Sequence, residues 1–167
     1  AFQRALVSLI SMQNDLGQAH RRLQPESIEQ DYRVLSVDSY GGQLLQSAQL
    51  ATVWINAATG LIQNALDERP VCPQKTMTPK GQVMQTILNK FFVAQIQPHL
   101  ARIQRELQAI TQQFDIVEIP KGQDAYNEYY QRYLSPQGLP EHYTQAIKQH
   151  VKAWQRLLKQ CGAMPRR

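Results

Sequence analysis

Apolar residues recur at three- and four-residue intervals along most of this chain, a spacing that constrains the fold more tightly than any other feature because it matches the period of a helix. Phe2, Leu6, Leu9, Ile10 and Leu16 fall on one face of a first helix that ends near Arg22, before Pro25. Residues 24–37 read as a connection, with Val34, Leu35 and Val37 tucked against the core. A second helix starts at Asp38 or Ser39, either of which can cap it, and runs to about Glu68. Its apolar face is Leu44, Leu45, Ala48, Ala51, Ile55, Ala58, Ile62 and Leu66, and its small members let a neighbour pack closely. Gly60 costs this helix about 1 kcal/mol relative to Ala and points to close helix contact.

Pro70 and Pro73 stop that helix, and Thr78–Pro79 starts the next, with a capping hydroxyl followed by proline in the first turn. Val83, Ile87, Leu88, Phe91 and Phe92 belong to this third helix. Pro98 opens or kinks a further segment whose stripe is Leu100, Ile103, Leu107 and Ile110, to about Phe114. Ile116 to Gly122 reads as irregular or extended. Asp124 caps a short helix rich in tyrosine, and a last helix starts near Pro140 and carries Ile147, Val151, Trp154 and Leu158 up to Gly162. The expected fold is all-α: a compact bundle of about five to six helices in a single domain, 1–167, with one short irregular extended segment near 116–120.

Glutamine, 25 of the 167 residues, keeps helix faces wet without adding charge, and its spread among apolar positions argues against an aggregating tract. The net charge of +5 comes from Lys and Arg scattered singly or in pairs, with no basic stripe interleaved with aromatics, so no nucleic-acid partner is expected. No apolar run approaches the roughly 20 residues of a membrane span. An Ala1 start fits either a cleaved signal peptide or a trimmed start.

Catalytic, metal and cofactor signals are absent from the sequence. His142 and His150 lie about 12 Å apart along one helix, with Ala146 between them, too far to share a metal. There is no HExxH, no GxSxG and no phosphate-binding glycine loop. The chain therefore reads as a non-enzyme that binds another protein. Tyr129, Tyr130 and Tyr133 suit either a recognition surface or a half-buried core with wet hydroxyls. Cys72, in a loop, and Cys161, at a helix end before Gly162, are either a disulfide or two unrelated thiols; the bridge is the expectation, and with it an oxidising compartment.

From Tyr40 to Phe92 the chain reads Gly41–Gly42–Gln43–Leu44–Leu45, a helix with Gly60, then Val71–Cys72–Pro73, Thr78–Pro79–Lys80–Gly81–Gln82–Val83 and Ile87–Leu88. This stretch, about a third of the chain, resembles the Rap1a/Tai family of type VI secretion immunity proteins. It departs from that family in lacking cysteines in its second helix and in continuing for about 75 residues past the matched part. The resemblance implies a small helical periplasmic protein, often a homodimer, that blocks a peptidoglycan amidase effector. On that reading Arg69, Gln74, Lys75, Met77 and Lys80, in the loop before the third helix, are candidate contacts beside Tyr129 and Tyr130, although the same loop also reads as an ordinary connection. The competing expectation is a structural or adaptor component of a bacterial secretion or conjugation apparatus, associating through the amphipathic segments 98–114 and 140–161.

Overall fold

The computed structural model describes residues 1–15, 25–114 and 123–164. Among these the regular structure is helical throughout: α1 (Phe2–Asp15), α2 (Pro25–Val37), α3 (Tyr40–Glu68), α4 (Pro79–Ile87), α5 (Gln97–Phe114), α6 (Asp124–Tyr129) and α7 (Leu139–Gln160). The all-α expectation holds. The expected count of five to six helices gives way to four long ones, α1, α3, α5 and α7, of 14, 29, 18 and 22 residues, with shorter pieces between them. A π-helical stretch, Leu88–Ile96, carries α4 straight into α5, and a second one, Tyr130–Leu134, extends α6. The extended segment expected near 116–120 lies outside the described residues.

Residues 24–37 are not a connection, because α2 occupies Pro25–Val37. Pro25 stands at the first helical position with Glu26 beside it, where an anion faces the positive end of the helix dipole. Ile28, Val34 and Leu35 are half-buried at helical spacing. Between α2 and α3 the Asp38 carboxylate accepts the Tyr40 N–H at 3.0 Å, and the Ser39 carbonyl accepts the Gln43 N–H at 2.9 Å. Pro98 is the second residue of α5 and stands directly after the π-helical stretch, where the helical register changes.

The chain divides into two compact units, each made from two stretches of sequence. The first comprises Ala1–Ala48 and Arg105–Glu141. Its buried residues include Ala5, Leu6 and Ile10 of α1, Leu44 and Ala48 of α3, and Leu107 and Ile110 of α5. The Phe2 ring lies 5.5 Å from that of Tyr40, and a Cβ on Gly41 would fall 2.8 Å from the Phe2 ring edge, so only glycine fits there without a shift.

The second unit comprises Gln49–Gln104 and His142–Arg167. Here Cys72 and Cys161 form a disulfide across 89 residues of sequence. Closing a loop of that length is worth about 4–5 kcal/mol on the chain-entropy account. Around it the Gln160 side chain accepts the Val71 and Cys72 N–H groups at 2.7 and 3.3 Å. Thr78 caps α4 as expected: its hydroxyl accepts the Gly81 N–H at 3.1 Å and donates to the Val71 carbonyl at 2.7 Å. A Cβ on Gly81 would sit 2.6 Å from the Cys72 sulfur, which accounts for glycine three residues after the cap. Gly60 has no such role. Nothing lies within 4 Å of where its Cβ would be, so the close contact expected there is not made.

Candidate binding groove

The second half of α3 carries apolar residues on more of its circumference than its own packing uses. Ile55, Thr59, Ile62 and Leu66 recur at i, i+4, i+7 and i+11 and are buried. Beside them stand the small Ala51 and Ala58, and beyond these Trp54 and Leu61, which are 71% and 73% exposed. Ala51, Trp54, Ala58 and Leu61 form one wall of a groove of about 600 Å³. Met84, Ile87, Phe91, Ile96 and His99 form the other wall. The π-helical stretch shapes that second wall, because its i to i+5 hydrogen bonding, seen in the Gln97 N–H on the Phe92 carbonyl, lets Phe91 and Ile96 line the same groove five residues apart. Ile55, Ile62, Phe92, Leu100, His150 and Trp154, all buried, make the floor.

One polar device lies in that floor. His150 is 3% exposed, and its ring centroid is 4.6 Å from that of Phe92. The Trp154 indole N–H, which can only donate, points at His150 Nε2 at 2.8 Å. The neutral imidazole then carries its proton on Nδ1 and donates to the Thr59 hydroxyl at 2.9 Å, and that hydroxyl donates to the Ile55 carbonyl at 2.6 Å. Both ring nitrogens of His150 and the Thr59 hydroxyl are satisfied with the ring uncharged, and burial lowers the His150 pKa from its ordinary value, which favours the same state. The arrangement pins α7 to α3 beneath the groove. It leaves His150 no free lone pair with which to act as a base or ligate a metal.

Ten large apolar side chains of this unit remain exposed: Leu50, Val53, Trp54, Leu61, Val83, Ile87, Phe91, Val93, Ile96 and Met164. Of these, Trp54, Leu61, Ile87, Phe91 and Ile96 line the groove, and scaling the roughly 150–250 Å² of a large side chain by their exposures leaves on the order of 500 Å² of apolar surface in water there. That lies toward the upper end of the roughly 300–600 Å² of a monomer's largest apolar patch, a size at which such patches are often functional.

The residues singled out in the sequence lie elsewhere. Arg69, Gln74, Lys75 and Lys80 are exposed and Met77 is half-buried, all in the segment tied down by the disulfide and Gln160. Gln74 and Lys75 have φ of 54° and 58°, so the loop holds a tight left-handed turn. Tyr129 and Tyr130 belong to the other unit. Tyr129 is partly exposed, its ring 5.0 Å from Tyr133, over which Arg132 lies at 5.3 Å; Tyr130 is half-buried. Burial raises the Tyr126 and Tyr129 pKa values, as it does for Tyr143, whose hydroxyl donates to the Leu100 carbonyl at 2.8 Å. The groove itself is absent from the sequence-based candidates. Its signal was the presence of Leu50, Val53, Trp54 and Leu61 outside the Ile55–Ile62 stripe, more apolar residues than one packed face needs.

Among the described residues no group of three or more His, Cys, Asp or Glu could hold a metal ion, and no helix is long and apolar enough to cross a membrane. No curated protein and no solved structure matches the chain. A family model described as "Protein of unknown function (DUF3080)" matches residues 1–165. The chain belongs to the DUF3080 family.

Proposed function

We propose that this chain is a non-catalytic protein-binding module whose recognition surface is the α3–α5 groove of its second unit. The observation that carries the reading is the apolar surface around Trp54, Leu61 and Phe91, which the fold leaves in water although hydrophobic side chains of this size stabilise a chain only when covered. Aromatic anchors at the edge of a preformed cleft are the usual hot spots of protein recognition. The disulfide between Cys72 and Cys161 supports an oxidising compartment, and the periplasm is the location we assign.

The narrower reading, a periplasmic immunity protein that inhibits a type VI effector such as a peptidoglycan amidase, rests on the sequence pattern of residues 40–92 alone. An adaptor component of a secretion or conjugation apparatus uses the same groove equally well. A photo-crosslinking residue placed at Leu61 or Ile87, compared with one at Lys75 or Tyr129, separates the surfaces in cells. The groove positions are expected to capture one discrete partner that the other two do not. Capture from Lys75 or Tyr129 alone would refute the groove as the recognition surface. A captured hydrolase that loses activity when bound supports the immunity reading, and capture of apparatus components favours the adaptor.

A further inference from the structure

The charges of the groove-bearing unit identify the occupant more closely than its shape alone. Among the described residues this unit holds nine Lys and Arg against only Asp67 and Glu68, a balance of +7, whereas the other unit holds four against nine, a balance of −5. Both acids sit at the end of α3, and Asp67 is paired with Arg156 at 2.6 Å. Every charged residue between Pro70 and Gln104, and every one on α7 from His142 onward, is basic. Lys80 stands one turn before Met84 on the groove-facing side of α4, and exposed Lys90 adjoins Phe91.

We propose, resting on the protein-binding reading above, that the groove takes an amphipathic helix with an acidic polar face from a partner protein. A helix meets both features together: its apolar stripe at i, i+3, i+4 and i+7 enters a cleft that runs between helices, while its carboxylates face the lysines along the rim. A second copy of this chain docked groove to groove would bring two bodies of +7 together, a like-charge contact. A single acyl chain would fill the apolar floor but bring at most one anionic head to Lys80 and Lys90. A flat bilayer would touch Trp54 and Leu61 but leave the 600 Å³ cleft unfilled.

Two synthetic 18-residue helical peptides with one shared Leu/Phe stripe, one with glutamate and one with lysine on the polar face, test this against the intact oxidised protein. Trp54, the exposed one of two tryptophans, reports binding by fluorescence, and a Trp54→Phe variant with anisotropy of labelled peptide confirms the site. The glutamate peptide is expected to bind at least tenfold more tightly than the lysine peptide. The gap should narrow in 0.5 M salt, where charges are screened beyond about 4 Å. Lys80→Glu with Lys90→Glu, both at exposed positions, should shrink or reverse the preference. Equal binding of the two peptides, or preference for lysine, overturns the acidic partner while leaving the groove as a protein site. Binding of neither peptide overturns both readings. Binding only to vesicles of phosphatidylglycerol and phosphatidylcholine overturns both in favour of a lipid surface.

Discussion

Adjacent residues on α3 give a sharp test of whether the groove rim is free. Leu61 is 73% exposed and Ile62 is 6% exposed, so replacing each by alanine removes similar chemistry from opposite environments. Burying a whole leucine or isoleucine side chain contributes roughly 1.5–3 kcal/mol, and folding covers only about a quarter of Leu61. Leu61→Ala is therefore expected to cost about 0.5 kcal/mol or less. Ile62→Ala loses the full transfer energy and leaves a cavity in the groove floor, and its expected cost is about 2–5 kcal/mol. Urea unfolding of the oxidised proteins, followed by circular dichroism at several protein concentrations, measures both. A cost above 2 kcal/mol for Leu61→Ala would show that Leu61 is covered in the folded chain, and the free apolar rim on which the binding account rests would be lost. Independence from concentration would show in addition that self-association does not cover it.

Other expectations follow from the same unit. Because folding holds the His150 pKa below its ordinary value near 6.5, the unfolded chain binds the extra proton first as pH falls. The stability tied to the neutral ring is complete above pH 6.5 and declines as pH drops through the lowered folded value, and His150→Leu should flatten that part of the profile in acid–urea titrations; an unchanged profile would refute the buried neutral ring. Thr59→Val removes the acceptor of the His150 Nδ1 proton and should destabilise by about 1–3 kcal/mol, whereas a neutral effect would mean that water replaces the hydroxyl. Cys72→Ser with Cys161→Ser should lower stability by about 4–5 kcal/mol in the same unfolding assay, and a loss under 1 kcal/mol would show that Gln160 and Thr78 hold the loop unaided.

Local chemistry in the sequence was a good guide where one or two neighbours decide the outcome. Thr78 with Pro79 marked the start of α4 and Asp38 with Ser39 that of α3, whereas for Cys72 and Cys161, 89 residues apart, the bridge was the expectation with two unrelated thiols left open. It failed at α2, where Pro25 was read as a helix stop although proline also opens helices and Glu26 beside it favours a helix start. It failed at Gly60 and was silent on the packing of Gly81, because glycine's use depends on what approaches it, and at Gly81 that is the Cys72 sulfur. The burial of His150 depends on Thr59, 91 residues away, a contact no local pattern encodes. The π-helical register at Leu88–Ile96 departs from α-helical spacing, so the wall it builds, and with it the groove, could not be read from that spacing.

The most direct test of the central claim is the dissociation constant of the purified partner captured at the groove, measured for the wild-type chain, Leu61→Asp and Lys75→Glu. Burying a carboxylate where an apolar anchor should sit is expected to weaken binding at least about thirtyfold, equivalent to the 2 kcal/mol of a hot spot, while Lys75→Glu changes it less than threefold. Loss of affinity with Lys75→Glu and none with Leu61→Asp would move the recognition surface to the disulfide-tied loop and contradict the account.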